Sequence, residues 1–174
     1  MGKINLVGKN FFLDDVFPED ISSEFICGLN DSRVNQFLEC RFFSHTLESQ
    51  RNWVTAQLSR QNVVLLGIFS NRRVLVGSIK YELIGGNHNR ADVGFMLTDP
   101  KCWGLGLMTD ALSQSRRYLC DSFGIEVITG GCYAVNYASA RVFTKSGFVL
   151  VAEIPDYWVL DGKRESQNIF LWKK

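Results

Sequence analysis

The stretch "DPKCWGLGLMTDAL", residues 99–112, sets Gly104 and Gly106 one residue apart, between an apolar strand-like run and a helix-like pattern. Such a turn suits phosphate. A glycine has no Cβ, so an anion can approach the main chain, and the helix that follows presents unpaired N–H groups and a dipole that favours negative charge. The same spacing also serves simply to turn a corner with nothing bound. If a phosphate is held, the surrounding residues narrow its kind. No Gly-Lys-Ser/Thr follows, so a P-loop lysine is missing. A dinucleotide fingerprint fits poorly, because Thr109 stands at the third glycine's place and Glu126 opens its strand instead of closing it. What remains is a nest of main-chain amides, with the Thr109 hydroxyl nearby, that takes a diphosphate without lysine or metal. Coenzyme A carries such a group.

Other familiar chemistries find little support. The five cysteines, Cys27, Cys40, Cys102, Cys120 and Cys132, form no CxxC pair, and His45 and His88 complete no metal-ligand cluster. Reduced thiols in a cytoplasmic protein are the simplest expectation. A formal net charge of +1 gives no reason to expect a nucleic-acid partner. Apolar runs such as "VVLLGIF" are far shorter than the roughly 20 residues that span a bilayer. The N-terminus reaches acidic residues before a signal-like stretch develops, so no membrane partner is expected.

The elements that must position the turn follow from periodicity. The 174 residues, 46% hydrophobic, suit one domain with a core of its own. Residues 4–13 read as a strand or hairpin, and Pro18 opens a helix over "PEDISSEFICGLN". Thr46 caps a second helix, "LESQRNWVTAQLSR", with Leu47, Trp53, Val54 and Leu58 along one face. Three strands, "VVLLGIF", "VLVGSIKYEL" and "ADVGFMLT", have links short enough for antiparallel neighbours. His88 falls at a loop tip between the last two. The turn then feeds a helix striped by Leu107, Met108, Ala111, Leu112, Leu119 and Phe123. A strand "EVITGG", a short helix "NYASARVFTKSGF" and two final strands, "VLVAEI" and "ESQNIFLWKK", complete the order. The unit 92–131 should be a parallel crossover, which gives a mixed sheet with helices on both faces.

Two motifs at this separation resemble the GNAT acetyltransferase superfamily, close to its ribosomal-protein N-terminal (Rim-type) branch. "ADVGFMLTDPKCWGLGLMTDAL" is similar to the family's acetyl-CoA segment, and "NYASARVFTKSGF" to its Asn-x-x-Ser/Ala helix ending in Gly-Phe. The tail "DYWVLDGKRESQNIFLW" is like that branch's C-terminal hairpin, so the likeness covers about residues 91–172. It implies an α/β (α+β mixed) GNAT fold over 1–174 as a single N-acetyltransferase domain: a mostly antiparallel sheet with splayed parallel strands, flanked by helices. Two positions depart from the pattern. Met108 stands where a small residue is common, and Phe143 where many members carry a tyrosine that protonates the departing thiolate.

The resemblance implies direct transfer of acetyl from acetyl-CoA, as co-substrate and without metal, to a primary amine. The amine must lose a proton, the tetrahedral intermediate needs an oxyanion donor, and the thiolate leaves more easily with a hydroxyl beside it. Phe95, Met96 and Leu97 would pair with pantetheine, and Trp103, Gly104, Leu105, Gly106, Leu107, Met108 and Thr109 would surround the diphosphate. Asn136 and Ser139 share one helix face toward the cofactor. Ser139 is the expected thiolate donor and Asp92 the expected proton acceptor, through water. For each a plain alternative stands: an N-cap for Asn136, a surface serine for Ser139, a solvated strand-end carboxylate for Asp92. Lys145 and Arg141 are candidates for the adenosine 3′-phosphate, against a solvated helix face. For the acceptor, the segment "VNQFLECRFFSHTLES" offers Asn35, Glu39, Arg41 and His45, with Arg41 for a phosphate and Glu39 for an amine. Tyr157 joins them, beside Tyr133 and Tyr137. The plain alternative makes Phe37, Leu38, Phe42 and Phe43 core and the polar residues their rim. The segment resembles that of Rim-like members that acetylate amino groups on nucleotide-linked sugars, which implies a small-molecule amine of that kind as acceptor, with a protein N-terminus as the alternative. A non-catalytic CoA-binding sensor is a further reading, and the assembly is expected to be a monomer or homodimer.

Overall fold

Runs of aliphatic and aromatic residues draw β3 (Val63–Ser70), β4 (Leu75–Ile84) and β5 (Arg90–Leu97) into an antiparallel meander. The computed structural model describes residues 3–6, 10–85 and 89–174; His88 lies outside the described residues. The expected N-terminal hairpin is present as β1 (Ile4–Asn5) paired with β2 (Phe11–Asp15), and β2 adds to β3. After β5 the chain crosses through α4 (Leu107–Phe123) and returns as β6 (Val127–Tyr133), parallel to β5. Then α5 (Tyr137–Lys145) leads to an antiparallel hairpin of β7 (Val149–Leu160) and β8 (Lys163–Lys173), with β8 beside β6. The resulting order is β1-β2-β3-β4-β5-β6-β8-β7, a mixed sheet with an α/β crossover, as expected.

Apolar residues cover both faces. On one side α4 and α5 bury Leu112, Leu119 and Phe143 against Ile79, Val93 and Ile128. On the other, α1 (Ser23–Leu29) and α3 (Leu47–Leu58) bury Phe25, Leu29 and Val54 against Leu65 and Phe69. A Cβ on Gly28 would overlap the Thr98 carbonyl, so α1 lies directly on the end of β5. In the α4 stripe, Ser115 is buried too; its hydroxyl meets the Tyr81 hydroxyl at 2.8 Å, and burial pushes the Tyr81 pKa up.

Several sequence expectations need correction. The helix expected over residues 18–30 breaks in two: a 3-10 turn at Pro18–Asp20, an extended Ile21 that enters the core, and α1 starting after Ser22, whose side chain accepts from Phe25 N. The Ser22 cap and the buried Ile21 outweigh continuous helical propensity. Asp31 then caps a short α2 (Ser32–Asn35), and a 3-10 turn follows at Glu39–Phe42. The buried face of α3 is Val54 and Gln57, while Trp53 and Leu58 stay exposed. Phe123 also reaches solvent, edge-on to Tyr118, in the last turn before Gly124 ends α4. Phe42 and Phe43 are 66% and 71% exposed, so they are not core. β7 runs on through Pro155 and recovers its pairing after a bulge between Ile154 and Trp158.

The β5–β6 ladder has four rungs, Arg90↔Val127 to Val93↔Gly130, and then ends. The Phe143 ring sits against the last rung: a Cβ on Gly130 would come within 2.7 Å of it. Its centroid is 5.0 Å from Phe95 of β5 and 4.8 Å from Phe170 of β8. The ring therefore wedges the base of the gap between β5 and β6. Phe143→Ala should cost about 3–5 kcal/mol, a fall in Tm on the order of 10 °C, and should weaken binding in the gap; thermal melts with and without acetyl-CoA read both.

Candidate functional site

At the turn, backbone conformation and chemistry coincide. Asp99 caps a 3-10 turn at Pro100–Cys102, which delivers the chain to Gly104 (φ +74°) and Gly106 (φ +75°). Both are left-handed, where glycine is favoured. Gly106 is the N-cap of α4 and supplies no side-chain cap, so the first N–H groups of the helix stay open. A Cβ on either glycine would meet nothing within 4 Å, so the space above them is an open cradle. The residues present fit a diphosphate held by main-chain amides.

The cradle belongs to a cavity of about 430 Å³ that continues along β5 beyond its last rung with β6. Phe95, Met96 and Leu97 line it along the free edge of β5, and Trp103, Leu107, Met108 and Thr109 around the turn. The Trp103 indole donates to Leu97 O at 3.4 Å. From α5 come Asn136, Ser139, Arg141 and Lys145, so both basic candidates on this helix reach the wall. Asn136 is the N-cap of α5, its Oδ1 accepting from Ser139 N at 3.1 Å. The Ser139 hydroxyl makes no hydrogen bond among the described residues. Leu105 is exposed and stands off the wall. Met108 is 5% exposed and packs into the core while lining the cavity, so it leaves the cradle open.

Residues 13–149 match the family model described as the acetyltransferase (GNAT) domain. The chain belongs to the GNAT acetyltransferase family. A curated Bacillus subtilis relative, the uncharacterized N-acetyltransferase YoaA, is 25% identical over 96 residues, 55% of this chain and 54% of its own length. The chain thus matches about half the length of that relative. Among solved structures, RimL, a ribosomal L7/L12 alpha-N-protein acetyltransferase in complex with coenzyme A, is 18% identical with a TM-score of 0.86, covering 99% of this chain and 98% of that one. The microcin C7 self-immunity acetyltransferase MccE, in complex with acetyl-CoA and AMP, is 18% identical with a TM-score of 0.81, covering 95% and 93%. These likenesses show the GNAT fold. Acetyltransferases of several subfamilies match it, so no Rim-type branch is singled out.

Within this GNAT chain the five acceptor candidates all lie off the cavity wall. Asn35 donates its amide to Leu29 O, and both His45 ring nitrogens are engaged, with Cys40 O and with Gln50. These two brace the loop. Arg41 donates to Leu38 O, Glu39 Oε1 and Val159 O, and Glu39 accepts from Tyr133. Tyr157 is half-exposed in the β7 bulge, edge-on to Trp158. Arg33, Gln36 and Phe37 line the cavity instead. Their i, i+3, i+4 spacing is the signal that would have selected them over Asn35. Asp92 is also off the wall, on the third rung, where its Oδ1 accepts from Thr129 Oγ1 at 2.9 Å. The residue reaches solvent, and the protein packed around its carboxyl pushes its pKa up by partial desolvation; the Thr129 bond opposes this and Glu82 adds to it. Burial likewise raises the thiols of Cys40, Cys102, Cys120 and Cys132, the last to about 11, the reverse of what an activated nucleophile needs.

Gly106→Ala should cost the free protein about 1 kcal/mol through its positive φ. It should weaken acetyl-CoA binding by roughly 10-fold or more, since the methyl projects into the cradle. Calorimetric titration set against a thermal melt separates the two effects.

Proposed function

We propose that this protein moves the acetyl group of acetyl-CoA directly onto a primary amine. The observation that carries this reading is the continuity of one cavity, from the open glycine cradle, along the unpaired edge of β5, to the free Ser139 hydroxyl. Main-chain N–H groups at Gly106–Thr109 hold the diphosphate, and Arg141 and Lys145 bring positive charge to the same wall. The free edge at Phe95–Leu97 pairs with the pantetheine amides and supplies an N–H to the thioester oxygen. As the amine nitrogen bonds to the carbonyl carbon, the C–S bond breaks and Ser139 donates to the leaving sulfur. Phe143 is a core wedge with no proton to give, which leaves this task to Ser139. The raised thiols speak for direct transfer over a cysteine intermediate.

Asp92 shares a sheet face with Thr129 and takes the amine's proton through water. The nucleotide-linked sugar reading needed Arg41 for a phosphate. That guanidinium is 13% exposed and engaged by three acceptors, so the geometry favours an amine without phosphate, with a protein N-terminus as the alternative acceptor. Met108 and Phe143, the two departures from the family pattern, both pack in the core, which favours catalysis over a CoA-binding sensor.

Incubation with acetyl-CoA and amines should release thiol in proportion to amide formed; stabilisation by acetyl-CoA without turnover on any amine would overturn the catalytic reading. Ser139→Ala should lower kcat on the order of 10²-fold with cofactor affinity nearly unchanged. Asp92 accepts a proton only when ionised, so its raised pKa makes kcat/KM fall as pH drops through that value. Asp92→Asn should be slow and lack this acid limb; an unaltered profile removes Asp92 as the base.

A further inference from the structure

Beyond the cavity's Phe37 lies a second cluster, built from parts of the chain far apart in sequence. Tyr133, the last residue of β6, is 3% exposed and donates its hydroxyl to Glu39 Oε1 at 2.5 Å. Arg41 Nη1 donates to the same oxygen at 3.1 Å. Both partners converge on Oε1, and Glu39 Oε2 has no partner among the described residues. The Glu39 side chain is 51% exposed, so this free carboxylate oxygen is open to a ligand. The walls are aromatic. The Tyr133 ring stacks on Trp158 at 5.2 Å and lies 5.7 Å from Phe37, while Arg41 sits over both Tyr133 and the exposed Phe42.

The cluster is on the side from which an acceptor can come. The Thr129–Asp92 bond puts those two side chains on one sheet face, and strand alternation puts Tyr133 and Gly94 there as well. That face is opposite the one carrying Val93, which packs with α4. Phe37 and Leu38, the residues just before Glu39, line the cofactor cavity. The carboxylate that Tyr133 holds therefore lies behind the Phe37 wall of the cofactor cavity.

We propose that Glu39 captures the acceptor as its ammonium at the mouth of the gap, before the amine gives its proton through water to Asp92 and enters to attack, that Tyr133 and Arg41 are positioning residues fixing the Glu39 carboxylate, and that the acceptor is a cationic primary amine on an aromatic or apolar frame without phosphate. This rests on the acetyl-transfer reading and names its substrate class. A carboxylate held by two donors on one oxygen presents the other in a fixed direction, at little further cost in side-chain entropy. Arg41 commits both Nη groups to Leu38 O, Glu39 Oε1 and Val159 O and its side chain is 13% exposed, so it is poorly placed to grip a phosphate.

The test uses the full chain, with 2-phenylethylamine and a nucleoside-diphosphate-linked amino sugar as acceptors. Phenylethylamine should have the lower KM. Glu39→Gln should raise that KM roughly 10- to 100-fold, with kcat changed far less and acetyl-CoA affinity unchanged. Tyr133→Phe should raise KM by a smaller factor, and Glu39→Asp should recover part of the Gln loss. Binding of phenylethylamine to the CoA-loaded protein, followed by calorimetry, should weaken in parallel. An unchanged KM and affinity in Glu39→Gln, or a lower KM for the amino sugar, overturns the inference while acetyl transfer stands. Glu39-dependent amine binding without any acetyl transfer would instead overturn the catalytic reading and, with it, the acceptor role given to Glu39.

Discussion

The premature end of backbone pairing between β5 and β6 is the constraint on which the rest of the structure depends. Four parallel rungs hold the strands together, and past Val93 and Gly130 each keeps a partner only on its outer side. Such an edge normally closes on its neighbour, since unpaired amides and carbonyls are costly when buried. Here the Phe143 ring, stacked on Phe170, tilted against Phe95 and edge-on to Phe148, fills the base of the opening. Gly130 contributes by having no side chain where the ring rests. The gap is thus maintained by a dry aromatic contact, and its exposed edge is a ready partner for an extended amide-bearing ligand.

Charge is handled with comparable economy. The turn at Gly104–Gly106 holds no lysine, and α4 begins without a side-chain cap, so an anion there meets main-chain dipoles first. Lys145 and Arg141 come from α5, more than thirty residues on, and reach the same wall because α4 and α5 lie on one face of the sheet. The segment at residues 33–38 lines the same cavity from the other side, so both helical layers contribute to its wall.

Elsewhere, a loop that carries little regular structure is tied to the C-terminal hairpin. Tyr133–Glu39 spans 94 positions and Arg41–Val159 spans 118. The bonds draw the 3-10 turn at Glu39–Phe42 onto the β7 bulge, where pairing resumes at Trp158. The family likeness does not determine this end of the molecule. RimL and MccE share the fold with this chain at 18% identity, and their names describe different substrates.

Much of the frame was legible in the sequence because its signals are local. Two glycines before a helical stripe fix a left-handed turn and an open helix start; short links fix antiparallel neighbours; Asn136 before a helix fixes a cap. Each depends on residues a few positions apart, where backbone sterics and periodicity act. The break at Ile21–Ser22 was hidden because a buried isoleucine competes with helical propensity only once there is a core to enter. The roles of Phe143, Arg41, His45 and Glu39 were decided by the tertiary structure alone. Phe143 carries no local mark of a wedge, His45 reads as an acceptor contact until both nitrogens are seen engaged, and Glu39, a candidate for an amine in the sequence, has its carboxylate fixed only when Tyr133 arrives from the far end of β6. A side chain's partners across the sheet are set by how the chain packs, and no short-range pattern encodes them.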